Sequence, residues 1–158
     1  MNWQEVCADP NLQDLPYKIE LNEWGQIVMS PVRIYHSFFQ GKIEHLLQTL
    51  LDHGEVFPEC AIKTSRGTKV ADVVWVSQER FEKIKDEFDA PIAPEICIEV
   101  ISPNNTRKEM LEKKKLYFEV GAEEFWLCDE NGEMSFYHHK GKIKQSRLVP
   151  DFPKVIPQ

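Results

Sequence analysis

Glu95-Ile-Cys-Ile-Glu-Val-Ile101 is the stretch on which the fold turns. Its nearly continuous apolar character reads as a central strand covered on both faces. Ser102-Pro103-Asn104-Asn105 breaks the run, and Thr106-x-x-Glu109 forms a capping box that opens a helix. Gly121 is placed to end that helix, and Phe125 to Cys128 supplies a second buried strand before the turn at Asp129-Glu130-Asn131-Gly132.

Working outward, Met134 to His138 and Ile143 to Val149 read as a final hairpin. Upstream, Phe57 to Thr64 and Lys69 to Ser77 form another, joined by Ser65-Arg66-Gly67-Thr68, and a short charged helix is expected over Gln78 to Phe88. Before these, Phe38, Phe39, Ile43, Leu46, Leu47, Leu50 and Leu51 recur at helical spacing, with Ser30-Pro31 placed to open that helix and Gly54 to close it. Ile19 to Leu21 and Gln26 to Met29 suggest an N-terminal hairpin. Residues 1–17, with Pro10 and Pro16, read as a loosely ordered lead-in to a single domain over 18–158. One mixed β-sheet flanked by helices, an α/β fold, is the economical architecture.

The composition supports this. The chain has 158 residues, 42% hydrophobic and 28% charged, which is ordinary for a globular domain and excludes wholesale disorder. No apolar run approaches the ~20 residues of a membrane span, and no signal peptide is visible, so a cytoplasmic protein is expected. The net charge of −7 argues against bulk attraction to nucleic acid, although Arg107 to Lys115 is a local basic run. Cys7, Cys60, Cys97 and Cys128 lie far apart without zinc-finger spacing.

Three residues interrupt the apolar pattern. Glu99 stands mid-strand, where an ionised carboxylate needs a cation, a metal or a proton; a satisfied core ion pair is the alternative. Asp72 interrupts Val70 to Val76, where it could also face solvent from an edge strand. Paired carboxylates are a minimal cage for magnesium, which keeps several waters. Lys113 shares the apolar stripe of its helix with Met110 and Tyr117. It either snorkels past the core edge or holds an ammonium near the acids. His36 lies on the inner face of the first long helix, as a hydrogen-bonded core-edge residue or a ligand, whereas His45 points away. Glu20 and Glu59 are candidates too, or ordinary exposed strand acids.

The string Ala71-Asp72-Val-Val-Trp75, Glu99-Val-Ile-Ser-Pro103, Glu112-Lys113-x-x-x-Tyr117 and Gly121-Ala122-Glu-Glu-Phe-Trp126 resembles the Uma-two family of restriction endonucleases, a branch of the PD-(D/E)XK nuclease superfamily. Lys18-Ile-Glu20-Leu-Asn-x-x-Gly25 and Val28-Met-Ser-Pro31 extend the resemblance over roughly residues 18–150. It implies a restriction-endonuclease-like core with additional N- and C-terminal β-hairpins, and hydrolysis of phosphodiesters with Mg²⁺ or Mn²⁺.

Under it, Asp72, Glu99 and the backbone carbonyl of Val100 are the expected metal ligands, and Lys113 joins the two acids as the expected catalytic lysine. Tyr117, His36 and Glu20 are expected to support the site, and Arg107, Lys108 and Lys114 to meet nucleic acid, with DNA the expected substrate and a homodimer the expected assembly. Two positions depart from the superfamily pattern: Ile101 stands where the lysine usually follows the second acid, and Ala71 replaces the proline before the first. A nuclease-fold protein that binds nucleic acid or a protein partner without cutting is the competing reading, and a glycosidase-like carboxylate pair is a third.

Overall fold

The apolar run forms the strand expected of it because it can be covered on both sides. The computed structural model describes residues 1–158. Its central sheet consists of β3 (Glu55–Thr64), β4 (Gly67–Val76), β5 (Ile96–Val100), β6 (Glu124–Cys128), β7 (Met134–His138) and β8 (Gly141–Ile143), in that spatial order; β1 (Tyr17–Leu21) and β2 (Ile27–Pro31) form a separate antiparallel pair. Neighbours in the central sheet are antiparallel except β5 and β6, which run parallel with Ile98 opposite Trp126. A parallel pair needs a crossover, and α4 (Arg107–Glu119) supplies it. The Thr106 side chain caps α4 by accepting from the Glu109 N–H, and Gly121 follows the helix at φ +108°.

The sheet is covered on both faces. Phe39, Ile43 and Leu47 of α2 (Ile34–Leu50) pack on Val73, Trp75, Ile98 and Trp126, and Phe152 and Ile156 close this layer. Burying side chains such as Ile43 and Leu47 stabilises the fold by roughly 1.5–3 kcal/mol each. On the other face Met110 and Tyr117 of α4 pack on Val74, Cys97 and Phe125, beside Ile84 of α3 (Gln78–Ile84). No helix is long and apolar enough to cross a membrane.

Several expected boundaries shift. The stretch read as a loose lead-in forms α1 (Trp3–Ala8) and a 3₁₀ turn, Pro10–Leu12; Asn2 caps the first and Val6 is buried beneath it. Ser30 and Pro31 do not open α2 but complete β2, an edge strand on which a missing N–H is tolerated. The helix begins at Ile34 and stops at Leu50, short of Gly54. The charged helix ends at Ile84, and Phe88 is left exposed. The last strand stops at Ile143, because the N–H groups of Arg147 and Leu148 are engaged by the Glu124 carboxylate instead of a neighbouring strand.

One glycine fixes how the two sheets meet. Gly67, at φ +90°, lies so close to the end of β1 that a Cβ there would stand 2.3 Å from the carbonyl oxygens of Leu21 and Asn22. That approach lets the β1–β2 hairpin lie across β4, where Val70 N–H donates to Glu20 at 2.7 Å and Lys69 Nζ to the Leu21 carbonyl at 3.2 Å.

Candidate active site

The β4–β5 ladder ends at Val73 opposite Ile98. The next pair in register would be Asp72 opposite Glu99, and there the strands part. The Val100 N–H donates to Asp72 Oδ2 at 2.8 Å, so a carboxylate takes a backbone donor at the fork.

On its other side β4 is irregular at the same place. Pro58 pairs with Val73 and Cys60 with Ala71, but the intervening Glu59 and Asp72 do not pair, and Glu59 has φ +56°. Phe57 and Cys60, three residues apart, pack into the same apolar layer, as do Ala71 and Val74. The in-and-out alternation therefore slips at this point. Strand irregularities of this kind re-aim side chains and are common beside active sites. Here the slip leaves Asp72 between the two layers, within reach of α2.

The acids are buried, Asp72 at 2% exposure and Glu99 at 1%. Lys18 Nζ, reaching in from β1, lies 3.0 Å from Asp72 Oδ1 and 3.0 Å from Glu99 Oε2. Lys113 Nζ lies 3.3 Å from Glu99 Oε1 and 2.7 Å from Glu20 Oε2. The Tyr117 hydroxyl donates to Glu99 Oε1 at 2.9 Å. From α2, His36 Nε2 meets Asp72 Oδ2 at 3.2 Å and Gln40 donates to the Asp72 carbonyl at 2.9 Å. A carboxylate can only accept, so Nε2 is the donor; the other ring nitrogen of His36 is buried without a partner.

These contacts push the two acids in opposite directions. Burial alone would raise the Asp72 carboxyl, but the Lys18 charge and the His36 hydrogen bond outweigh it and hold the group well below the usual range. Glu99 is raised: burial dominates, Lys113 and Lys18 offset it only in part, and the charges of Asp72 and Glu20 add to it. Glu20 is also buried, but Lys113 and Lys18 bring it below its ordinary value. Burial works against the Lys18 ammonium, yet Asp72, Glu99 and Glu20 together keep it well above the usual lysine value. Burial, then the Glu99 charge, holds the Tyr117 phenol protonated and able to donate.

Asp72, Glu20, His36, Lys18 and Lys113 line a cleft of about 280 Å³ beyond the carboxyl end of β5, where open α/β sheets place their ligands, and Glu99 and Tyr117 lie behind its wall. Lys18, Arg66, Lys69 and Lys113 line the cleft, together with Ser30, Ser102 and Asn105, but so do Glu20, Glu23, Asp72, Glu109 and Glu112, and Arg66 pairs with Glu23 and Glu112. The donor oxygens suit a hard cation such as Mg²⁺, which takes one or two carboxylates and fills its remaining positions with water. No group of three or more His, Cys, Asp and Glu side chains is gathered for a metal.

Asp72, Glu99, Lys113, Tyr117, His36 and Glu20 are thus brought together, and Val100 joins them through its N–H. Asp72 does not face solvent, and Glu20 is not an exposed strand acid; Glu59 is exposed. Arg107, Lys108 and Lys114 do not line the cleft. Arg107 donates to the Tyr137 hydroxyl, Lys114 lies over the Tyr137 ring, and Lys108 borders a separate groove. Sequence reasoning missed Lys18. Its signal was available: it stands two residues before Glu20 on one strand, so both project to the same face.

A mixed sheet flanked by helices, with two buried acids where its central strands fork, makes an α/β fold. Residues 9–156 match the Uma2 family, described as "Putative restriction endonuclease", and the chain belongs to that family. The fold is shared with a crystal structure described as "a putative nuclease belonging to DUF820 from Anabaena variabilis ATCC 29413", at a TM-score of 0.77 and 16% identity over 99% of this chain and 95% of that one. No curated protein matches the chain.

Proposed function

We propose that the protein is a metal-dependent endonuclease that hydrolyses phosphodiester bonds of nucleic acid, with DNA as the expected substrate. The observation that carries this reading is the convergence of Asp72 Oδ1 and Glu99 Oε2 on one cation position beside a cleft lined by both basic and acidic side chains. Asp72 and Glu99, with the Val100 carbonyl, would hold Mg²⁺ or Mn²⁺. Bound there, the ion would polarise a phosphoryl oxygen and lower the pKa of a water.

The remaining groups have distinct tasks. Lys113, held between Glu99 and Glu20, presents a positive charge where negative charge develops on the phosphoryl group. It stands in for the lysine absent at Ile101. Tyr117 and His36 fix the orientation of the two carboxylates by donating to Glu99 and Asp72. Arg66 and Lys69 on the cleft wall meet backbone phosphates, a contact that salt weakens. Arg107, Lys108 and Lys114 could touch only nucleic acid that extends beyond the cleft.

A homodimer belongs to the same proposal. The outer edge of β2 is unpaired and exposes Ile27, Val28 and Met29, a strand suited to pairing with a second copy. Light scattering at increasing concentration tests it.

The test of activity is incubation of plasmid, single-stranded DNA and RNA with Mg²⁺ or Mn²⁺, comparing wild type with Asp72→Asn. Cleavage that needs metal and disappears in the variant supports the proposal, and the substrate cut identifies the nucleic acid. Cleavage that survives the substitution points to a contaminant. One observation favours the reading of a protein that binds without cutting: the Lys18 ammonium already occupies the position between the two acids. Retention of nucleic acid on a filter, with no cleavage under any metal, would select it.

A further inference from the structure

The two carboxylates meet at an ammonium that belongs to the protein. Lys18 Nζ is equidistant, at 3.0 Å, from Asp72 Oδ1 and Glu99 Oε2, the oxygens that turn toward one another across the fork. Its aliphatic stem comes from β1, outside the central sheet, and its side chain lines the cleft and keeps 15% exposure. Lys113 approaches from the opposite side and uses the other Glu99 oxygen, so it leaves this position to Lys18.

We infer that Lys18 is a built-in counter-ion for the Asp72–Glu99 pair, and that a divalent ion and the Lys18 ammonium occupy the pair in alternation. The inference rests on the metal-site reading above and deepens it. Two cations drawn to the same two oxygens repel each other strongly in a partly desolvated site. The ammonium can leave, because a lysine stem has four rotatable carbons and the Lys18 side chain lines the cleft. Without metal, Lys18 keeps two adjacent buried acids from facing each other uncompensated. With metal, the ammonium turns outward into the cleft, whose wall carries Arg66 and Lys69 along with Glu23, Glu109 and Glu112. Metal affinity in the free protein is therefore weakened by the cost of displacing Lys18, and β1 governs it from outside the sheet that carries the ligands.

The experiment measures Mn²⁺ binding by electron paramagnetic resonance on wild type, Lys18→Met and Asp72→Asn. Lys18→Met keeps the stem and removes the charge, and it should bind Mn²⁺ about tenfold more tightly than wild type or better. Asp72→Asn should bind none. Equal or weaker binding by Lys18→Met, with binding still abolished in Asp72→Asn, overturns the counter-ion role and leaves the metal site standing. Binding by neither wild type nor Lys18→Met overturns both.

Wild type offers a second measurement should Lys18→Met fold poorly. Acetylation of lysines by acetic anhydride, read by mass spectrometry, should modify Lys18 several-fold faster when Mg²⁺ is bound. An unchanged Lys18 rate in the presence of bound Mg²⁺ overturns the proposal.

Discussion

Glu99 and Glu124 are buried carboxylates on adjacent parallel strands, at 1% and 2% exposure, and they solve the problem of burial differently. Glu124, level with Ile96 at the start of the pair, accepts from Trp126 Nε1 at 2.8 Å, Ser146 Oγ at 2.6 Å, and the N–H groups of Arg147 and Leu148 at 2.9 Å each. All four donors are uncharged amides, a hydroxyl and an indole. Glu99, at the other end, is held by two ammoniums and a phenol, and it shares one of the ammoniums with a second carboxylate.

A carboxylate closed in by neutral donors ties chain segments together, and here it docks the residues after β8 onto the sheet. The Asp72 and Glu99 carboxylates are balanced instead by lysine ammoniums that line a cleft. The difference distinguishes the two acids more sharply than burial does.

The largest effect should come from Asp72→Asn, which leaves the Glu124 centre untouched. Any metal-dependent cleavage should fall about 10²–10³-fold, the scale for losing an electrostatic group poised at a reacting centre, and kcat measured on folded protein checks it. The mirror experiment is Glu124→Gln, which turns an amide toward donors. It should lower unfolding free energy by about 3 kcal/mol in denaturant titration, through buried groups left unpaired. Mn²⁺ affinity per folded molecule should not change. Loss of metal binding in Glu124→Gln would break the comparison.

A smaller effect is expected for Tyr117→Phe, which removes one donor from Glu99. It should cost about 1 kcal/mol of stability and about tenfold in Mn²⁺ affinity. The smallest effect is in the shape of the acid limb. Asp72 is lowered in the folded state, so it contributes stability above the ordinary aspartate range that is lost as pH falls through its folded value. Glu99 is raised, so it acts in the opposite sense and its stability cost disappears as pH falls through its folded value. Denaturant titrations from about pH 7 to about pH 3 should therefore show a shallower loss of stability in Asp72→Asn and a steeper one in Glu99→Gln. The same slope in both would mean that the two acids do not differ as described.

Much of this was legible in the chain because it follows local geometry. An apolar run with one acid in it, Ile96 to Ile101, is a buried strand with Glu99 needing a partner whatever the rest of the fold does. A Thr106-x-x-Glu109 cap sets the phase of α4, and helical spacing then puts Lys113 and Tyr117 on one face, where both reach Glu99. The order of elements follows from the same kind of reading.

The tertiary structure decided what bridges those pieces. Lys18 meets acids 54 and 81 positions away, and no periodicity encodes that distance. It depends on the close approach of Gly67 that lays the β1 hairpin across β4. The slip at Glu59 and Asp72 is equally non-local, since it needs both strands to lose the same pair. Glu124 takes three of its four donors from the tail after β8, which comes back to cap it. A sequence fixes the period and the end of each element through steric and hydrogen-bonding rules that act over a few residues. Which charge answers which is settled by how the elements stack, because a buried ion takes its partner from whatever the fold brings within about 3 Å.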